Sequence, residues 1–151
     1  MIKLASGGDF MKKSTENLLE ELKSFTDFSE FYKENKNSIA IVNLSDYLQM
    51  LIDKKQLNKS DIIARSEMSE VYVYQIISGI KTNPKREKVI CIAFGMNLSL
   101  DETQDLLKKT GYAPLYAKNP FDAVIIYSLL KQLSVVETNN LLFEYGQETL
   151  G

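Results

Sequence analysis

Apolar residues recur along this chain at three- and four-residue spacing, the period of a helix with one face buried. No stretch alternates in the two-residue period of a half-buried strand. Residues 15–24 (TENLLEELKS) place Leu18, Leu19 and Leu22 on one side of a helix. Residues 27–35 (DFSEFYKEN) come next, with Phe28, Phe31 and Tyr32 as their apolar side. The polar stretch 35–38 reads as a linker, and the short apolar run 39–42 as an extended piece or a helix lead-in. Ser45 is suited to cap a helix running to Lys55, with Tyr47, Leu48, Leu51 and Ile52 turned inward. Asn58, with Asp61 three residues on, opens a helix of about seven residues. Ser69 caps the next, EVYVYQIIS, which stops at Gly79, a residue at ease in the left-handed conformation that closes helices. Asn83-Pro84 opens another over about 84–95, because proline is tolerated where the helical amide has no partner anyway.

The remainder contains an internal repeat. LSLDETQDLLKKTGYAPL (98–115) aligns with LSVVETNNLLFEYGQETL (133–150) at a shift of 35 residues. Each copy has a Ser-x-x-Glu capping box (Ser99 to Glu102, Ser134 to Glu137), a Leu-Leu pair and a late glycine, Gly111 or Gly146. Val89-Ile90 matches Val124-Ile125, and Asn83-Pro84 matches Asn119-Pro120 after a one-residue gap. Two helix pairs, 84–111 and 120–146, are thus copies of one unit. Two copies are too few for an open solenoid, so they are expected to pack on each other and on the helices before them. The Leu-Leu pairs, Tyr112, Tyr116 and Tyr127 are expected in the core.

Composition narrows the chemistry. The chain of 151 residues has no histidine and one cysteine, Cys91, set in an apolar run. A disulfide within the chain is impossible, the commonest general base is missing, and nearly every zinc or iron site with it. A carboxylate-only metal site would need a loop with oxygen-ligand spacing, which the sequence lacks. It also lacks GxGxxG, a P-loop and GxSxG. An enzyme is therefore not expected, nor a cofactor. No apolar run has a membrane helix's length, and the first ten residues, unlike the chain from Met11 onward in character, read as a leader or tag rather than a signal peptide. A cytoplasmic protein is expected.

The formal net charge of −2 hides an asymmetry. Residues 54–88 carry eight Lys and Arg against four Asp and Glu, while both flanks are acidic. A basic segment in an acidic chain is either a polyanion contact or a solvated face.

A family likeness bears on that choice. The segment LNKSDIIARSEMSEVYVYQIISGIKTNPKREKVICIAFGMNLSLDET resembles the helix-turn-helix module of the Cro/repressor (XRE) family. The adjoining LLKKTGYAPLYAKNPFDAVIIYSLLKQLS is similar to the tail of small Firmicutes-type regulators of that family, so the likeness covers nearly all of residues 14–150. The resemblance implies an all-α, repressor-like helix-turn-helix bundle with N-terminal helices and a C-terminal repeated helix pair. Its divisions would be 1–10 leader, 11–43 helical extension, 44–100 DNA-binding domain and 101–151 C-terminal extension.

It also implies a sequence-specific regulator whose helix 69–79 enters the major groove of double-stranded DNA. By position, Glu70, Val71 and Gln75 would read bases, with Gln75 suited to adenine and Glu70 to cytosine N4. Lys59, Tyr72, Lys81, Lys85, Arg86 and Lys88 would meet phosphate, and Val73 and Ile76 would face the core. Tyr72 and Tyr74 fit packing as well as they fit DNA. Dimers are usual in the family, and the helical extensions offer a surface for a second copy or another protein.

The sequence departs from the family pattern at three places. Ile63 stands where a small residue is usual, and would spread the two motif helices unless neighbours compensate. Glu67 stands where glycine is usual, so it is expected in the left-handed region at about 1 kcal/mol. Glu70 adds negative charge at the groove-facing end. Glu67, Glu70 and the acidic flanks favour the other reading of the same scaffold, a protein-interaction adaptor with weak or no DNA binding.

Overall fold

The computed structural model describes residues 13–37 and 41–151; the expected leader and part of the expected linker lie outside them. The described residues are all-α, with no strand. The chain divides into two compact units, 1–42 and 43–151.

The first unit contains α1 (Thr15–Ser24) and α2 (Phe28–Asn35). Ser14 caps α1 by accepting from the Asn17 amide, and Asp27 caps α2 by accepting from the Ser29 amide. The two helices meet around a polar clasp. Lys13 Nζ donates to Glu21 Oε2 and Asn35 Oδ1, each at 2.6 Å, and Asn35 Nδ2 donates to Glu21 Oε1 at 3.0 Å. Those donors hold the Glu21 carboxyl below its ordinary range. Phe31 is buried, with Phe25 edge-on to it at 5.5 Å. The expected apolar faces are covered only in part: Phe31 is buried and Leu18 half-buried, but Leu19, Leu22, Phe28 and Tyr32 are exposed. Two short helices have too little surface between them to cover both stripes.

The second unit holds α3 (Leu44–Lys55), α4 (Lys59–Ser66), α5 (Glu70–Ile77), α6 (Arg86–Gly95), α7 (Leu100–Lys109), α8 (Pro120–Leu130) and α9 (Val135–Glu144). The boundary expected at 100/101 falls inside it. Its core runs from Leu48, Ile62, Val73 and Ile76 through α6, where every residue from Val89 to Gly95 is buried, to Leu106, Leu107, Ile125 and Leu142. Helices α4 and α6 approach each other closely. A Cβ on Gly95 would lie 2.6 Å from the Ile62 carbonyl oxygen and 3.2 Å from Ser66 Cβ. The α4–α6 crossing is therefore limited by Gly95. Ile63, expected to spread the two motif helices α4 and α5, is half-buried.

Capping moves two expected helix starts. Asn43, not Ser45, caps α3 by accepting from the Asp46 amide, which frees the Ser45 hydroxyl to donate to the Ile77 carbonyl at 2.6 Å. Pro84 lies outside α6, buried, with its carbonyl accepting from the Tyr112 hydroxyl, and Lys85 takes the N-cap place with no side-chain cap. In the second copy Asn119-Pro120 does open α8 as expected.

The repeat extends to individual hydrogen bonds. Both capping boxes close, and Thr103 and Thr138 donate to the Ser99 and Ser134 carbonyls at 2.8 and 2.7 Å. The amides of Leu115 and Leu150 donate to Gln104 and Asn139, each at 2.7 Å. Gly111 and Gly146 are both left-handed, at φ 93° and 74°. The copies differ in surroundings. Gly95 is covered by α4, whereas its counterpart Leu130 is 63% exposed, and Tyr116 and Tyr127 are exposed rather than in the core. Tyr112 and Leu141 are half-buried.

Candidate nucleic-acid interface

The expected site residues fall on and around α5. Its connection to α4 spans 67–69, and Glu67 there has φ 60° and ψ 25°, the left-handed conformation expected of it. Ser69 then caps α5 by accepting from the Tyr72 amide. The inner side of α5, Val73, Ile76 and Ile77, is buried. Its far end is tied to α3, because Ser45 Oγ and Gln49 Nε2 both donate to the Ile77 carbonyl. Gly79 ends the helix at φ 89°.

An inner face fixed in this way leaves the opposite one outward. Val71 is 66% and Tyr74 42% exposed, Glu70 is exposed, and Gln75 is half-buried. Glu70 also lies in the first turn, where a carboxylate favours the helix dipole.

Three lysines arrive from outside the helix. Lys81 Nζ lies 5.5 Å and Lys88 Nζ 5.9 Å from the Tyr72 ring centroid, and Lys59 Nζ lies 5.8 Å from that of Tyr74. Such contacts contribute about 0.5–1 kcal/mol each at exposed sites and hold the ammonium heads near the helix. Tyr72 is thus a half-buried platform shared by two lysines. Tyr74 belongs to the outward face, as its spacing of three from Val71 and four from Glu70 allows. Lys85 is exposed at the N-cap of α6.

Arg86 leaves the expected phosphate-binding set. Its Nη1 and Nη2 donate to the two Asp122 carboxylate oxygens at 2.9 and 3.0 Å, its Nε to the Ala113 carbonyl at 2.9 Å, and Nη2 also to that of Pro114. Asp122 is buried and accepts from the Tyr116 amide as well. Arg86 therefore pins the start of α6 to the start of α8. Lys55 is similarly engaged, at 2.6 Å from Glu102.

No cluster of three metal-ligating side chains occurs among the described residues, and no helix among them is long and apolar enough to cross a membrane. Cys91 is buried, and that burial pushes its thiol up to about 11, so it stays protonated at neutral pH. Comparisons with protein-family models, with curated proteins and with solved structures find no match to this chain.

Proposed function

We propose that residues 43–151 form a DNA-binding helix-turn-helix of the Cro/repressor type, with α5 lying in the major groove and regulating transcription from the bound site. The observation that carries this is the pairing of an outward α5 face, Glu70, Val71, Tyr74 and Gln75, with the lysine heads of Lys59, Lys81 and Lys88 around it. Side chains that reach base edges from the middle and cations that meet phosphates at the rim are what groove recognition needs. Lys85 joins the rim from its exposed position before α6.

The test is selection of bound DNA with the purified full chain, then fluorescence anisotropy at several salt concentrations. Log affinity should fall linearly with log salt. Lys81→Gln and Lys88→Gln should each lower the slope by about 1, and Gln75→Ala should relax preference at one base by roughly 1–3 kcal/mol. Micromolar or weaker binding without sequence preference refutes the proposal.

A second reading is a protein-interaction adaptor. It is favoured by α5 having no cation of its own, by Glu70, and by the exposed apolar Val71, Tyr74 and Ile80, the last 73% exposed. It predicts a stable protein complex that survives charge reversal at Lys81 and Lys85 and is lost on Val71→Glu.

A further inference from the structure

We infer that the cleft between the α4–α5 connection and the first turns of α9 binds a small organic anion with an apolar body, of the class of unbranched monocarboxylates. The cleft has a volume of about 590 Å³, within the range of small-molecule sites, roughly 300–1,000 Å³. Met68 from the connection and Val135 and Val136 from α9 give it apolar lining on both sides. Tyr72 and Lys88 line it as well, beside Ser66, Ser69 and Asn139.

The charge of Lys88 selects the ligand. The half-buried Lys88 is in no ion pair among the described residues. Its head lies 5.9 Å from the Tyr72 ring centroid, so one ammonium group and one aromatic ring stand together in the lining of a partly desolvated space. An anion there is attracted more strongly than at an open surface, because the effective dielectric is lower. Glu67 also lines the cleft, but its side chain is exposed to water, where its charge is screened.

The repeat supplies an independent observation. Val136 is 51% exposed, yet the first copy places a charged residue, Asp101, at the same position. The second copy has an apolar side chain where the scaffold accepts a carboxylate, and that side chain faces this cleft. Apolar lining in the same cleft as an unpaired cation matches a ligand with a charged head and a hydrocarbon body. It does not match a free inorganic ion, which would leave that lining wet.

The test titrates octanoate into the full chain, with 1-octanol as the uncharged counterpart, and tracks methyl NMR signals of Met68, Val135 and Val136. Saturable shifts at these methyls with octanoate, at least fivefold weaker in Lys88→Gln and in Val136→Glu, support the inference. Equal response to 1-octanol, equal affinity in Lys88→Gln, shifts spread evenly over exposed methyls, or no saturation by 10 mM overturns it. Both substitutions are at positions with solvent access, and an unchanged remainder of the spectrum verifies that the variants are folded. The experiment contains no DNA, so its failure leaves the DNA reading standing, and failure of that reading leaves this result untouched.

Discussion

Replacing Gly95 by alanine tests the packing of α4 against α6. Gly95 is the last residue of α6, so alanine's smaller loss of backbone entropy gives a gain at the low end of the ~0.5–1 kcal/mol of a helix interior. Here the new Cβ would lie 2.6 Å from the Ile62 carbonyl oxygen, 3.1 Å from Ile62 Cγ2 and 3.2 Å from Ser66 Cβ. The nearest of these is main chain, so no rotamer change relieves it, and α4 must move away by most of an ångström. A gap of ~0.5–1 Å forfeits a quarter to a half of each dispersion contact along the seam. It also stretches the 3.3 Å hydrogen bond from Arg65 Nη1 to the Gly95 carbonyl.

Overpacking of this kind costs roughly 1–3 kcal/mol, and subtracting a propensity gain of ~0.5 kcal/mol leaves a net loss of roughly 0.5–2.5 kcal/mol, centred on about 1–2. The assay is urea unfolding monitored by far-ultraviolet circular dichroism: the midpoint should fall with the slope unchanged, and the thermal midpoint should drop by roughly 4–8 °C. A Gly95→Ala protein as stable as the parent, or more stable, would refute the claim that backbone contact limits the α4–α6 crossing.

Single contacts give three further expected outcomes. Ser128 Oγ is fully buried without a hydrogen-bond partner among the described residues, and the repeat places Ala93 at the same position, so Ser128→Ala should stabilise by about 1 kcal/mol; a lower thermal midpoint would contradict this. Asp122→Asn leaves the Arg86 guanidinium half-compensated beside a buried amide and should destabilise by roughly 2–4 kcal/mol, measured by the same unfolding curves. At neutral pH it should leave the salt slope of any DNA binding unchanged, since the Arg86 guanidinium is committed to α8 rather than to phosphate. For Glu102, burial raises the carboxyl, but the Lys55 ammonium and the Ser99 amide outweigh it and hold the group below its ordinary 4.5. A carboxyl depressed in the folded state stabilises fully above that ordinary value, and its contribution is lost as pH falls through the lower folded value. Glu102→Gln should therefore flatten the acid limb of the stability–pH curve below about pH 4.5 and leave its shape at neutral pH unaltered.

Much of this architecture is legible locally. Asn58, Ser69, Ser99 and Ser134 cap helices because their side chains accept from amides two or three residues on, a relation that needs no partner from elsewhere in the chain. Glu67 is left-handed, as the family resemblance, with glycine usual at that place, implies. The 35-residue repeat is a property of the sequence itself, and it carries the matched glycines, threonines and leucines with it. The outward placement of Val71 and Gln75 comes from the burial of Val73 and Ile76 at helical spacing.

What the sequence left open depended on which helix covers which. Arg86 looks like one more cation in a basic run until α8 brings Asp122 against it from 36 residues away. Gly95 and Leu130 hold the same place in two copies of one unit, yet α4 covers the first and leaves the second exposed. Lys59, Lys81 and Lys88 become a ring around α5 only because Tyr72 and Tyr74 stand within reach of them. Local hydrogen bonds and periodicity determine each helix and its faces. The partner of each face is set by long-range packing, in which one missing Cβ at Gly95 decides how closely two helices approach.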